Sequence, residues 1–440
     1  MLTLKDKIKK ITSKHRLVFF ILKTTFFYFQ SFKLIIDDKY SIRRFEKAIK
    51  QNERYPNKDS LFHKPLAFVS CFPPESSGIA TYSLKIFSSA PSQVDVFCPV
   101  YDIQTFNNNK QLLSAVGNSL FPVERLFYLD ASAKYEKIII ALGNSFHHVY
   151  AAHLLKILHD NKMNDRVVLY LHDLNLHGLL VLSRNFNILR YLISFFLLYR
   201  GDHTPFFSSM GIKMLISKVG VARLLVNSAM ARDLLLSEVE NKSSVVVDKI
   251  FLPVFPFRKS NQQILKKHHG TYYVGTFGIP SSNKCTDVII ESVNELISEG
   301  YNLKLVVAGW RAREFFNDTV PEFVLVFDSL TDEELATLMS EMDLAIQLRQ
   351  QSVGESSGCI PLLLSLGVGV IVSNLGSFTE YSNRGIDIVY DNSVDAVKTA
   401  ILKHYKNGNS TTNIYNEIPL PTAKDFIERI DMLYNSGSRS

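Results

Sequence analysis

The chain reads as an α/β protein of two successive open parallel sheets, preceded by a basic, aromatic-rich extension. Three observations predict this. Strand-like apolar runs alternate with helix-like segments twice along the chain. A stretch rich in proline and basic residues separates the two series, and a carboxylate between glycines stands at a strand-to-helix turn of the second. Alternation at this spacing is the pattern of parallel strands joined by crossover helices.

At 440 residues the chain exceeds what one core holds and fits two domains with an appendage. Hydrophobic residues at 46% and charged residues at 21% exclude a disordered chain. The net charge of +7 is unevenly placed: residues 1–60 carry 15 Lys/Arg against 6 Asp/Glu, which leaves the remainder at −2. Arguments from charge therefore concern the extension alone. There, Lys5, Lys7, Lys9, Lys10, Lys14 and Arg16 precede Phe19, Phe20, Phe26, Phe27 and Phe29. This pattern is expected to hold an anionic membrane surface through residues 1–36, the alternative being that the rings pack on the fold itself. The apolar run Leu17–Ile36 includes Lys23, Gln30, Ser31 and Lys33. Two ammonium groups are costly at a bilayer centre and no small-residue cleavage site follows, so the run reads as peripheral rather than spanning. No groove-reading motif accompanies the basic residues, and no nucleic-acid partner is expected. Cys71, Cys98, Cys285 and Cys359 are scattered without C-x-x-C spacing, as reduced thiols of a cytoplasmic protein would be.

The first domain is expected over 61–252. Pro65–Cys71 reads as a strand, Pro73-Pro74 breaks it, Ser76 or Ser77 can cap, and Ile79–Ser88 has helical spacing. Further strands are read at Val94–Phe97, Lys137–Leu142, Val167–Leu171 and Arg223–Asn227. Residues 253–270 read as a linker, and 271–420 as the second domain. Its series runs strand Tyr272–Phe277, helix Cys285–Glu299, strands Leu303–Ala308 and Phe323–Phe327, helix Thr331–Met342 and strand Leu344–Leu348. A helix Cys359–Leu366 ended by Gly367 and a strand Val370–Val372 follow. The last helix, Thr422–Tyr434, lies in a segment 421–440 expected to pack back on the first domain.

Within this frame Glu355, between Gly354 and Gly358, can reach a bound ring or be an exposed turn glutamate, while Ser356, Ser357 and Gly358 offer amides or hydroxyls to an anion. Lys284 precedes a predicted helix, where its ammonium and the helix N-terminus can share phosphate charge or where it is a solvated loop lysine, and Arg349 can supply a second cation or pair with a carboxylate. Glu380 lies near a helix start after Gly376-Ser377, where it can cap its own helix. In the first series Gly78 lets a ligand approach the backbone or makes a tight turn. His172 ends a strand, to meet a substrate hydroxyl or serve as a core histidine, and His147 and His148 are weaker candidates. The twelve histidines show no ligand-like spacing and the chain has no Asp-x-Asp, so no metal and no other cofactor is expected.

Four segments in order then carry a resemblance. Phe72–Ser83 is similar to P-P-x-x-S-G-I-A-x-Y-S. Leu142–His147 and Leu169–Asp173 are similar to L-G-N-S-x-x-H and L-H-D. Leu348–Gly358 with Gly376–Glu380 resembles L-R-x-x-T-x-G-E-T-S-G and G-x-x-x-E. Together, over about residues 65 to 390, they resemble the GT-B glycosyltransferases, and among them the retaining family 4 (GT4) with its bacterial O-antigen and capsule mannosyltransferases. The resemblance implies two Rossmann-like domains facing across a cleft and a metal-independent transfer of a hexose with retention. The donor would be a nucleotide sugar, GDP-mannose or a UDP-sugar. The acceptor would be a glycan or lipid-linked saccharide in cell-surface polysaccharide synthesis, at the inner face of the plasma membrane. It implies catalytic roles for Glu355 and His172, and donor binding by Gly78, Lys284, Arg349, Ser356, Ser357, Gly358 and Glu380. The chain departs from the common pattern at two places. Leu363 stands where a second Glu usually holds the ribose, and Ile279 where an Arg usually precedes the phosphate-binding Lys. Glu380 and Arg349 are the candidates to replace them. An inactive GT-B binding subunit and a sugar-nucleotide epimerase of the same fold remain the alternatives.

Overall fold

The structure, a computed structural model, describes residues 64–176, 179, 220–238, 245–255, 263–316, 319–352, 354–407 and 420–435. The basic extension, and with it the membrane-surface expectation for residues 1–36, lies outside the described residues. Among the described residues no helix is long and apolar enough to cross a membrane. The chain divides into two compact units. The first consists of the residues up to Val226, Asp233–Lys249 and those from Ile427 on; the second consists of Asn227–Arg232 and Ile250–Phe426.

Among the described residues the first unit is built on seven parallel strands: β1 (Leu66–Val69), β2 (Val94–Cys98), β3 (Leu120–Pro122), β4 (Lys137–Leu142), β5 (Val167–Leu171), β6 (Arg223–Val226) and β7 (Val246–Lys249). Their order is β3-β2-β1-β4-β5-β6-β7. The inner strands read as unbroken apolar runs because both faces of a parallel sheet are covered, and β1, β2 and β5 are buried at every position. Helices Gly78–Ser89, Ile103–Ser114 and Val149–Asp160 connect them. Ser77 is the cap of the first, accepting from the amide of Ile79 at 3.3 Å. Helix Ala423–Tyr434 ends in this unit, where the Tyr434 hydroxyl donates to Asp248 Oδ2 at 3.1 Å and the Arg223 guanidinium lies 5.5 Å from the ring centre.

The second unit repeats the plan with β8 (Tyr272–Phe277), β9 (Leu303–Ala308), β10 (Val324–Phe327), β11 (Leu344–Gln347), β12 (Gly369–Ser373) and β13 (Asp387–Val389), in the order β10-β9-β8-β11-β12-β13 and parallel throughout. Alternate side chains of β11 enter opposite cores, as a strand period of two requires. Leu344 and Ile346 join Ile289, Val293 and Leu296 of helix Thr286–Ser298 and Val397 and Ile401 of helix Val394–Asn407. Ala345 joins Leu338 and Met339 of helix Asp332–Ser340 and Ile360, Leu363 and Leu364 of helix Cys359–Ser365. Leu265, in the stretch read as a linker, is buried in this second core, and the amides of Ile264 and Leu265 donate to Glu341 at 3.1 and 2.9 Å. In both sheets the order reverses between a first and a fourth strand, β1/β4 and β8/β11. Open parallel sheets take ligands outside the carboxyl ends of their strands at such a point.

Candidate functional site

In the second unit the loops after β8 and β11 leave the sheet side by side and are bonded to each other. The amide of Gln350 donates to the carbonyl of Asn283 at 2.7 Å and that of Gln351 to Asn283 Oδ1 at 3.0 Å. This places Lys284 and Arg349 on neighbouring loops at the switch point. The backbone of Arg349 is held from the other side, its amide donating to Ser373 Oγ at 2.8 Å and its carbonyl accepting from Asn392 Nδ2 at 2.7 Å. The chain before Lys284 turns through Gly278, whose φ of +96° disfavours a side chain. A Cβ there would lie 2.2 Å from Lys284 Nζ. Nζ instead sits against this bare backbone and donates to the carbonyl of Phe277 at 3.4 Å. Burial, with Arg349 nearby opposing the effect of Cys359, lowers the Lys284 pKa to about 8. Lys284 is thus a desolvated ammonium rather than a solvated loop lysine.

Glu355 lies in the same loop as Arg349. Arg349 Nε stands 3.8 Å from Glu355 Oε1, its guanidinium lies 5.6 Å from the Phe378 ring centre, and Ser352 Oγ donates to Glu355 Oε2 at 3.0 Å. Burial lowers the Arg349 pKa while Glu355 raises it, so the carboxylate partly compensates a guanidinium withdrawn from water. Ser357 Oγ accepts from the amide of Cys359 at 3.3 Å, which starts helix Cys359–Ser365. Ser356 Oγ donates to the carbonyl of Asn227 at 3.2 Å. Both hydroxyls are therefore engaged, and it is the amides of Ser356, Ser357 and Gly358 that have no hydrogen-bond partner among the described residues.

Glu380 departs from the sequence expectation. It lies in the middle of the 3-10 stretch Gly376–Arg384 rather than at a helix start, and its Oε1 accepts from the amide of Ala229 at 2.7 Å. The helix it caps is Ala229–Glu238, not its own, because the residues before that helix belong to the second unit.

In the first unit Gly78 opens helix Gly78–Ser89 without a positive φ, and a Cβ built on it meets nothing within 4 Å. Helical geometry rules out the tight-turn reading there. His172 directly follows β5, its amide donating to the carbonyl of Leu142 at 3.0 Å and its ring 4.2 Å from that of Tyr170. Burial, with a smaller contribution from His148, lowers its pKa to about 3, so it is neutral at physiological pH. His148 is likewise pushed down by burial to about 4, while His147 pairs through Nδ1 with the buried Glu75. No cluster of His, Cys, Asp or Glu able to hold a metal occurs among the described residues.

The structure thus brings Lys284, Arg349, Glu355, Ser356, Ser357, Gly358 and Glu380 together in one unit, and Gly78 and His172 in the other. Sequence reasoning missed Asn283, Ser373 and Asn392, which splint the loops, and Ser352 and Ser377, which touch Glu355 by side chain and by its carbonyl respectively. Ser352 lies in the motif segment Leu348–Gly358, Ser377 in Gly376–Glu380 and Asn283 beside Lys284, so these three could have been found there. Ser373 and Asn392 are long-range partners with no local signal.

No protein-family model matches the chain, and no curated protein matches its sequence. Solved structures do resemble it. Anabaena Alr3699/HepE in complex with UDP and glucose superposes with a TM-score of 0.55 at 11% identity, over 85% of this chain and 100% of that one. WaaG, a glycosyltransferase involved in lipopolysaccharide biosynthesis, gives 0.52 at 13% identity over 84% and 100%. A putative UDP-N-acetylglucosamine 2-epimerase from Listeria monocytogenes gives 0.50 at 11% identity over 85% and 97%. The fold is GT-B. The order of strands in both sheets of this GT-B chain is the doubly wound one, with its switch point between β1 and β4 and between β8 and β11.

Proposed function

We propose that the chain is a retaining glycosyltransferase that moves a hexose from a nucleoside-diphosphate sugar to a glycan or lipid-linked acceptor in cell-surface polysaccharide synthesis. One observation carries this reading: two desolvated cations and one carboxylate share the switch point of the second sheet, beside three amides without a partner among the described residues. A diphosphate needs cations and amides to stabilise it as it leaves, and an oxocarbenium-like centre needs a negative charge. Lys284 and Arg349 take the first role with the amides of Ser356–Gly358, and Glu355 takes the second. No metal is required in this scheme. Neutral His172 is assigned to a substrate hydroxyl and the bare backbone at Gly78 to close approach of the donor, with retention taken from the family resemblance. HepE with its bound UDP and glucose and WaaG with its lipopolysaccharide role support the class of donor and of product.

The test is ligand-induced stabilisation by UDP, GDP and ADP and their sugars, followed by sugar transfer to a lipid-linked saccharide. The matching diphosphate at about a hundred times its Kd should stabilise the protein by about 2.7 kcal/mol. Absence of stabilisation by every nucleotide would overturn the reading. The Listeria neighbour keeps an epimerase as second reading, and conversion of the free nucleotide sugar without any acceptor would establish that instead.

Residues 1–36 we assign to an anionic membrane surface. Deleting them should leave a soluble protein that still binds nucleotide but no longer binds anionic liposomes, and liposome binding by the full chain should fall with added salt. An insoluble truncated protein would favour packing of the rings on the fold.

A further inference from the structure

Ser228 carries a hydroxyl withdrawn completely from solvent, 0% exposed, with two hydrogen bonds of opposite sense. It accepts from the amide of Ala231 at 2.9 Å as the cap of helix Ala229–Glu238, and it donates to the carbonyl of Gly354 at 2.7 Å. Gly354 immediately precedes Glu355, yet Ser228 lies 126 residues away in sequence. Two further contacts join the same two segments: Ser356 Oγ donates to the carbonyl of Asn227 at 3.2 Å, and the Gly354 backbone lies so close to the helix that a Cβ would stand 2.7 Å from Ala231 Cα. The amide of Ala229 donates to Glu380 of a third segment, Gly376–Arg384. On the other side, Ser377 Oγ donates to the carbonyl of Glu355 at 2.7 Å.

The consecutive carbonyls of Gly354 and Glu355 are therefore each held by a serine hydroxyl from a different part of the chain. Such bracing matters at this point because Gly354 has a φ of +91° and glycine backbone is the least restricted of all. A charge that acts on a transition state works only when held within about 0.5 Å of its productive place.

We propose that Ser228 is the positioning residue for Glu355: it fixes the peptide before the carboxylate and does not touch substrate itself. The proposal rests on the glycosyl-transfer reading for its effect on turnover, but not for its effect on the loop. Ser228→Gly is the variant of choice: it removes both bonds of the hydroxyl, but glycine is tolerated as a helix cap, so losing the bond from Ala231 costs little and the loss of the bond to Gly354 is what the variant reads. Ser228→Thr keeps the hydroxyl and serves as the rescue.

In the full chain, Ser228→Gly is expected to speed amide hydrogen exchange across residues 354–358 at least tenfold while helix Thr286–Ser298 exchanges as before. Its kcat should fall roughly ten- to a hundredfold, with KM for the donor and affinity for the tightest-binding free nucleoside diphosphate within about threefold of the parent, and Ser228→Thr should recover most of the loss. Unchanged exchange across 354–358 would overturn the proposal whether or not the protein transfers sugar. Unchanged kcat in an active enzyme would also overturn it, as would equal losses of kcat and nucleotide affinity, the mark of general destabilisation. If the parent transfers no sugar at all, the glycosyl-transfer reading fails while the exchange measurement still decides this one.

Discussion

Glu355→Gln is expected to fold as the parent does, to keep its affinity for nucleoside diphosphate, and to lose at least about a hundredfold in turnover. Glutamine keeps the length and the oxygen that accepts from Ser352 Oγ, so the loop has no steric reason to move. What it removes is the charge. In the ground state that charge faces Arg349 Nε at 3.8 Å, and a guanidinium left without its carboxylate is, if anything, more available to a diphosphate. The loss therefore falls on the step in which positive charge develops at the sugar, where a fixed anion in a partly desolvated site contributes most. Single-turnover rates and diphosphate titrations on the same preparation separate the two effects. Near-parental turnover would remove Glu355 from the chemistry. A large loss of diphosphate affinity would mean that its role is to hold Arg349 in place.

Strands and helices of this chain were legible wherever both faces of an element are buried. Lys137–Leu142, Val167–Leu171, Tyr272–Phe277 and Leu303–Ala308 fall at the residues that their apolar runs indicate. The elements not legible are those at the sheet margins and on half-covered surfaces. β3 is three residues ending in a proline, β13 is three residues, and β7 contains Asp248 and Lys249, the composition by which edge strands avoid pairing with other chains. Helix Ile103–Ser114, with three consecutive asparagines, carries almost no apolar signal. The site divides along the same physical line. Glu355 was picked out by the glycines that flank it, and Lys284 and Arg349 by the motif resemblance, each within one short window of sequence. The capping of a distant helix by Glu380, or the bond from Ser228 to Gly354, is set by tertiary packing alone, and no window of sequence contains both partners.

Lys284→Met separates function from stability at the other half of the site. Methionine fills the same stem volume without the charge, so the change removes an ammonium from a desolvated place and little else. Charge-assisted hydrogen bonds contribute about 1.5–3 kcal/mol, and the affinity for nucleoside diphosphate at pH 7 is expected to fall roughly ten- to a hundredfold. The pKa of about 8 fixes how this depends on pH. The protonated form binds the anion and prevails below that value, so parental affinity should weaken as pH rises above 8, whereas the variant should lack that part of the slope. Stability runs in the other direction. An unfolded lysine keeps its proton up to about 10.5, so between about 8 and 10.5 the unfolded chain binds more protons than the folded one, and this group makes the folded state more stable as pH rises. Below pH 8 the folded protein bears the cost of a desolvated ammonium that the variant lacks. Lys284→Met should therefore be the more stable protein at pH 7, with its advantage narrowing toward pH 10. Urea unfolding at both pH values, beside calorimetric titration of the diphosphate at pH 7 and 9, tests the two halves together. Unchanged diphosphate affinity would remove Lys284 from the binding site, and a variant less stable at pH 7 would show that its hydrogen bond to Phe277 outweighs the cost of burial.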